Sequence, residues 1–182
     1  MQREKKIVVL SHCILNANSK VEGLSQYGGI LRDYIDMLAD KAIGIIQLPC
    51  PEMILYGIKR WGHVKDQFHT PFFRQQSRIM LEPIVQQLRN YVDFGYEIVG
   101  VIGIDGSPSC GVNFTCSGDF GGEISDITDM DKVRDSLRDV NEMGVFMEEF
   151  KRLLEDEKLD IRFLAIDEGD VYSSLDEIAQ IT

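Results

Sequence analysis

The stretch EIVGVIGIDGSPSCG, residues Glu97–Gly111, decides the fold. The run from Glu97 to Ile104 is apolar almost throughout, is too short for a helix, and stops at the turn-forming Asp105-Gly106-Ser107-Pro108. An apolar run without alternation is the pattern of a strand covered on both faces. Three other runs share it: Lys6 to Leu10, Ile43 to Leu48 and Ile161 to Ile166. Helical patterns lie between them. Ile30, Leu31, Tyr34, Ile35 and Leu38 mark one apolar face. A second helix is expected from Arg74 to Asp93, ending before Gly95 and kinked or divided at Pro83. In a third, Met143, Phe146, Met147, Phe150, Leu153 and Leu154 recur at helical spacing, with Glu148, Glu149, Lys151 and Arg152 on the opposite side.

Strands alternating with helices predict an α/β three-layer sandwich, Rossmann-like, with a mainly parallel sheet flanked by helices and right-handed crossovers. Antiparallel hairpins are not expected. No repeat or Pro- or Ser-rich linker divides the chain, so residues 1–182 are read as one domain. Two segments resist the pattern and are read as long loops: Met53 to Phe73, with Trp61, His63 and His69, and the Gly-rich Asn113 to Thr128.

Composition narrows the function. The 182 residues carry 19 Lys plus Arg against 30 Asp plus Glu, a formal net charge of -11, which is the wrong sign for a phosphate-neutralising surface and argues against nucleic acid as a resting partner. The basic start, Met1 to Lys6, runs into an apolar stretch too short for a secretory signal and interrupted by Ser11-His12. No run is long enough to span a bilayer, so no membrane association is expected. A cytoplasmic chain is expected, in which thiols stay reduced and cysteines point to metal or catalysis.

Cys13, Cys50 and Cys110 each follow one of the first three strands, in Ser11-His12-Cys13, Cys50-Pro51-Glu52 and Ser107-Pro108-Ser109-Cys110-Gly111. In a parallel sheet these loops emerge at the same carboxyl edge, where open α/β folds place ligands. An isolated cysteine is usually a small buried hydrophobe. The same position after three strands predicts convergence instead. Three thiolates around one point suit a soft metal or an iron-sulfur cluster, and three protein ligands leave a position open for substrate or water. Cys116 has no preceding strand; it is read first as a bystander, with a conditional fourth ligand or a redox-active neighbour as alternatives.

Glu52, beside Cys50-Pro51, is placed to move protons or orient a water, or is a solvated loop carboxylate. Ser107 and Ser109 offer hydroxyls in a loop stiffened by Pro108, or cap the next helix. A Cys13-His12 nucleophile pair is disfavoured, since neighbours on an extended segment point oppositely. His63 and His69 line an aromatic pocket or pack beneath a loop. Asp167, Glu168 and Asp170 follow the fourth strand at the same edge, and Asp126, Asp129 and Asp131 read as a solvated turn or helix start.

The three cysteine motifs, in this order on an α/β chain, resemble the 2-thiouracil desulfurase (desulfidase) family, over most of the chain. The resemblance implies a [4Fe-4S] cluster held by Cys13, Cys50 and Cys110 with one open iron, and Glu52 and Ser107 as the catalytic pair. It also implies a small thiolated nucleobase-like substrate and non-redox removal of its sulfur as sulfide by Lewis-acid catalysis. After the first cysteine that family commonly carries an arginine-tyrosine-aspartate-glycine stretch, whereas this chain has Asn16-Ala17-Asn18-Ser19-Lys20-Val21-Glu22-Gly23, so a related branch with altered substrate contacts is expected. Two other readings stand beside it: a zinc- or cysteine-dependent hydrolase using Cys13 or Cys110, and a non-catalytic small-ligand or sulfur-binding module.

Overall fold

A computed structural model describes residues 3–127 and 129–181. In chain order the elements are β1 (Lys6–Leu10), α1 (His12–Leu15), α2 (Arg32–Asp40), β2 (Gly44–Gln47), α3 (Pro51–Tyr56), α4 (Lys65–Phe68), α5 (Pro71–Asp93), β3 (Glu97–Ile104), β4 (Thr115–Ser117), α6 (Met130–Asp135), β5 (Arg138–Val140), α7 (Val145–Asp156), β6 (Phe163–Ile166) and α8 (Val171–Ile181). The main sheet has four strands in the order β2-β1-β3-β6, and every pair is parallel.

Alternation along β1 builds the two cores. Val9 faces a layer made by Leu81, Val85 and Leu88 of α5 with Phe146, Phe150 and Leu154 of α7. Val8 and Leu10 face Tyr34 and Leu38 of α2, with Ile178 of α8. The chain is therefore an α/β three-layer sandwich, as the sequence pattern predicts. Phe146 and Phe150 are fully buried, and each such side chain contributes roughly 1.5–3 kcal/mol by leaving water. In β3 the register slips opposite Ile7 and Val8, where Ile98 and Gly100 are paired in succession and Val99 is the extra residue. The bulge puts Val99 in the same core layer as Ile102 and Ile104.

Several expectations change. The edge strand β2 is covered less than its apolar sequence suggests: Ile45 is exposed. Pro83 does not divide α5. Ile79 and Pro83 are both exposed, so the carbonyl that loses its helical partner is within reach of water. Glu149 is not on a solvated face but buried, bonded to Arg74 at 2.6 Å, Arg78 at 2.5 Å and Arg152 at 2.7 Å. Lys65 and Arg74 also hold Glu148, at 2.6 and 2.7 Å, so this face of α7 packs on α4 and α5 through charge. The supposed loop Met53 to Phe73 contains most of α3, all of α4 and the start of α5. Within Asn113 to Thr128 lies β4, which pairs antiparallel with β5; Thr128 itself is outside the described residues. Asp129 caps α6, accepting from the N–H groups of Asp131 and Lys132. Among the described residues no helix is long and apolar enough to cross a membrane.

Candidate functional site

Three strand ends deliver the three cysteines to one cavity of about 340 Å³ at the carboxyl edge of the sheet. Cys13 comes from α1, directly after β1. Cys50 precedes α3, and its sulfur accepts the Met53 N–H at 3.4 Å, while Pro51 at the first helical position gives up no needed donor. Cys110 sits in a tight turn after β3. Its N–H donates to Ser107 Oγ and the Gly111 N–H to the Ser107 carbonyl, both at 3.0 Å.

That turn is clamped from two sides by glycine. A Cβ on Gly103 of β3 would stand 2.4 Å from the Cys110 carbonyl oxygen, and one on Gly144 would stand 2.4 Å from the Ser109 carbonyl carbon. Because Gly144 lets α7 approach, the first amides of that helix bond to the turn: Val145 N–H to Pro108 O at 3.1 Å and Phe146 N–H to Ser109 O at 3.1 Å. The Cys110 turn is thus held by backbone from both β3 and α7.

Burial sets the thiol chemistry. It pushes Cys13 up to about 12, against the pull of Lys20. Cys110 is pushed up by burial and then by the neighbouring sulfurs of Cys13 and Cys50. Burial also raises Cys50, opposed by the Met53 N–H. At neutral pH these are protonated thiols, and binding a metal would displace their protons. None is in a disulfide. Among the described residues no three His, Cys, Asp or Glu side chains are grouped so as to hold a single metal ion; the sulfurs border a cavity rather than meet at a point.

Glu52 is mostly buried beside them and is bonded at both oxygens: Ser109 Oγ donates to Oε1 at 2.6 Å, and Arg60 Nε donates to Oε2 at 3.2 Å. Ser107 reaches Glu52 only through Ser109, whose hydroxyl lies 3.3 Å away. Arg60 is buried too, with further bonds to the carbonyls of Ser19 at 2.7 Å and Gly57 at 3.2 Å. Lys20 pairs with Glu168 across the rim, and its ammonium stands 5.2 Å over the Tyr27 ring.

The remaining expectations divide. Cys116 lines the same cavity, its thiol 3.5 Å from the His63 carbonyl, so it is no distant bystander. His63 also borders the cavity and packs at a tilt against the rings of Tyr56 and Phe68; burial lowers its pKa and keeps the ring neutral. His69 caps α4 and is not on the cavity wall. His12 turns away from Cys13, its Nδ1 3.1 Å from the Leu48 carbonyl. Of the acidic trio, Glu168 faces the cavity, while Asp167 and Asp170 serve the turn before α8 and its first residues. Arg60 was missed by sequence reasoning, which read Met53 to Phe73 for its aromatics; a lone arginine next to Trp61 in that segment was the available signal.

Fold and site define an α/β protein of parallel sheet, covered on both faces, with a cysteine-walled cavity at the carboxyl edge. The chain is 40% identical over 108 residues to the uncharacterized protein MJ0003 of Methanocaldococcus jannaschii, over 59% of this chain and 69% of that relative, and belongs to the same family. No established protein-family profile matches the chain. No solved structure matches it either.

Proposed function

We propose that the protein is a [4Fe-4S]-dependent desulfidase that removes sulfur from a small thiolated heterocycle, such as a thiouracil, and releases it as sulfide. The observation that carries the reading is the meeting of Cys13, Cys50 and Cys110 with a hydrogen-bonded Glu52, Ser109 and Ser107 on one cavity wall. Three thiols with no carboxylate or imidazole among the proposed ligands suit iron-sulfur chemistry, and their placement after three separate strands lacks the paired-cysteine knuckle of structural zinc. Bound there, a cluster would supply an open iron as Lewis acid toward the substrate's sulfur. The chain's own residues do the rest. Glu52 accepts the proton of the attacking water, Arg60 balances its charge, and Ser107 hydrogen-bonds at the cavity surface. The volume of about 340 Å³ is at the low end of the range for small-molecule pockets. A cytoplasmic setting, where cysteines stay reduced, belongs to the same proposal.

The test is anaerobic reconstitution followed by incubation with 2-thiouracil, 4-thiouracil and other thiolated heterocycles. Brown protein with about four irons and four sulfides per chain, and sulfide release from at least one substrate, is expected. Stoichiometric zinc without iron would put the hydrolase reading in its place. A loaded cluster without turnover on any substrate would leave a binding module.

A further inference from the structure

Ser109 stands between the two residues to which the proposed chemistry assigns work, and a count of its hydrogens gives the array a direction. A hydroxyl has one hydrogen to donate and two lone pairs. The Ser109 hydrogen goes to Glu52 Oε1, 2.6 Å away, in preference to the Cys110 sulfur at 3.5 Å, because the carboxylate bond is shorter and charge-assisted. Ser109 must therefore accept in its 3.3 Å contact with Ser107. Ser107 donates there and accepts from the Cys110 N–H at 3.0 Å, so one lone pair of its oxygen remains for the cavity. Glu52, by contrast, has Ser109 on one oxygen and Arg60 on the other.

We propose that Ser109 is a positioning residue that links Ser107 to Glu52, so that the proton leaving the attacking water enters at the Ser107 oxygen and reaches Glu52 through Ser109. This rests on the desulfidase reading. Water gives a proton to Ser107 Oγ as Ser107 passes its own hydrogen to Ser109 and Ser109 passes its own to Glu52. The hydroxide bonds to the thiocarbonyl carbon and the C=S π pair moves to sulfur. When the added hydroxyl loses its proton and the C=O bond forms, the C–S bond breaks. The sulfur leaves with that proton and the one returned by Glu52, as hydrogen sulfide. One water is consumed and no electrons are gained or lost overall.

The test compares wild type with Ser109→Ala, Ser109→Thr, Glu52→Gln and the Glu52→Gln/Ser109→Ala pair. Iron per chain, unfolding midpoint, kcat and KM are measured on each. Ser109→Ala should keep its iron and lower kcat about 10²-fold with KM nearly unchanged. Ser109→Thr, which restores the hydroxyl, should recover most of kcat. The double variant should be no slower than Glu52→Gln, since both changes cut one path. Ser109→Ala with more than half the wild-type kcat overturns the relay, as does loss of iron in step with activity or two defects that multiply. If Ser109→Thr is unstable, the double variant still decides. Wild type that is loaded but inactive on every thiolated heterocycle overturns the desulfidase reading and the relay together; an active wild type with an indifferent Ser109 overturns the relay alone.

Discussion

Arg60 ties the two ends of α3 to the segment after α1 with one guanidinium: it bonds the Glu52 carboxylate, the carbonyl of Gly57 at the helix end and the carbonyl of Ser19. Both partners of the Arg60–Glu52 pair are nearly out of water, which makes removal of one partner costly, about 3 kcal/mol, because the other is left charged and unpaired. Arg60→Ala should show this loss in denaturant unfolding and should lower kcat/KM as well. Arg60→Lys keeps the charge but not the fork of donors, and should recover stability only in part. Among the cysteines, Cys13→Ser, Cys50→Ser and Cys110→Ser should each lower iron content after reconstitution, since a hydroxyl is a poor replacement for a thiolate. Cys116→Ser should keep its iron. Activity alone does not separate a ligand from a catalyst, so iron must be measured on every variant.

At the scale of elements, the Cys110 turn depends on two glycines that lie outside it, in β3 and just before α7. Gly103→Ala drives a methyl to 2.4 Å from the Cys110 carbonyl, so the turn has to move; a loss of about 1–3 kcal/mol and a lower iron content are expected. The charged seam of α7 predicts acid sensitivity. Burial alone would raise Glu148 and Glu149, but bonds from Lys65, Arg74 and Arg78 outweigh it, and both lie below the ordinary value of 4.5. A carboxylate depressed in the folded state stabilises it above the unfolded value, and that contribution is lost as pH falls through the folded value. The unfolding midpoint should therefore hold down to about pH 5 and fall below about 4.5. Glu149→Gln should unfold earlier at pH 7 and show a shallower decline in acid. Sequence patterning found β1 and β3 to the residue because both are central strands, apolar on two faces. It could not find β4 and β5, three residues each, nor foresee that Glu149 would be buried, since burial there depends on arginines from another helix.

The same division holds for the molecule. Cys13, Cys50 and Cys110 were legible because a parallel sheet turns position after a strand into position in space. Arg60 and Lys20 were not, since they depend on how two irregular segments, 16–31 and 57–64, lie over the sheet edge; nor was the contact of Ser109 with Glu52, which depends on how the Cys110 turn packs against the start of α3. The amides of Val145 and Phe146 hold the Cys110 turn from far along the chain, and this has a consequence for biosynthesis. A growing polypeptide that has emerged through Gly111 already carries all three proposed ligands, yet the α7 amides that fix the third are still inside the ribosome. On the proposed reading, maturation of the cofactor would have to wait until α7 has emerged, and a delivery factor would meet a chain already folded through that helix.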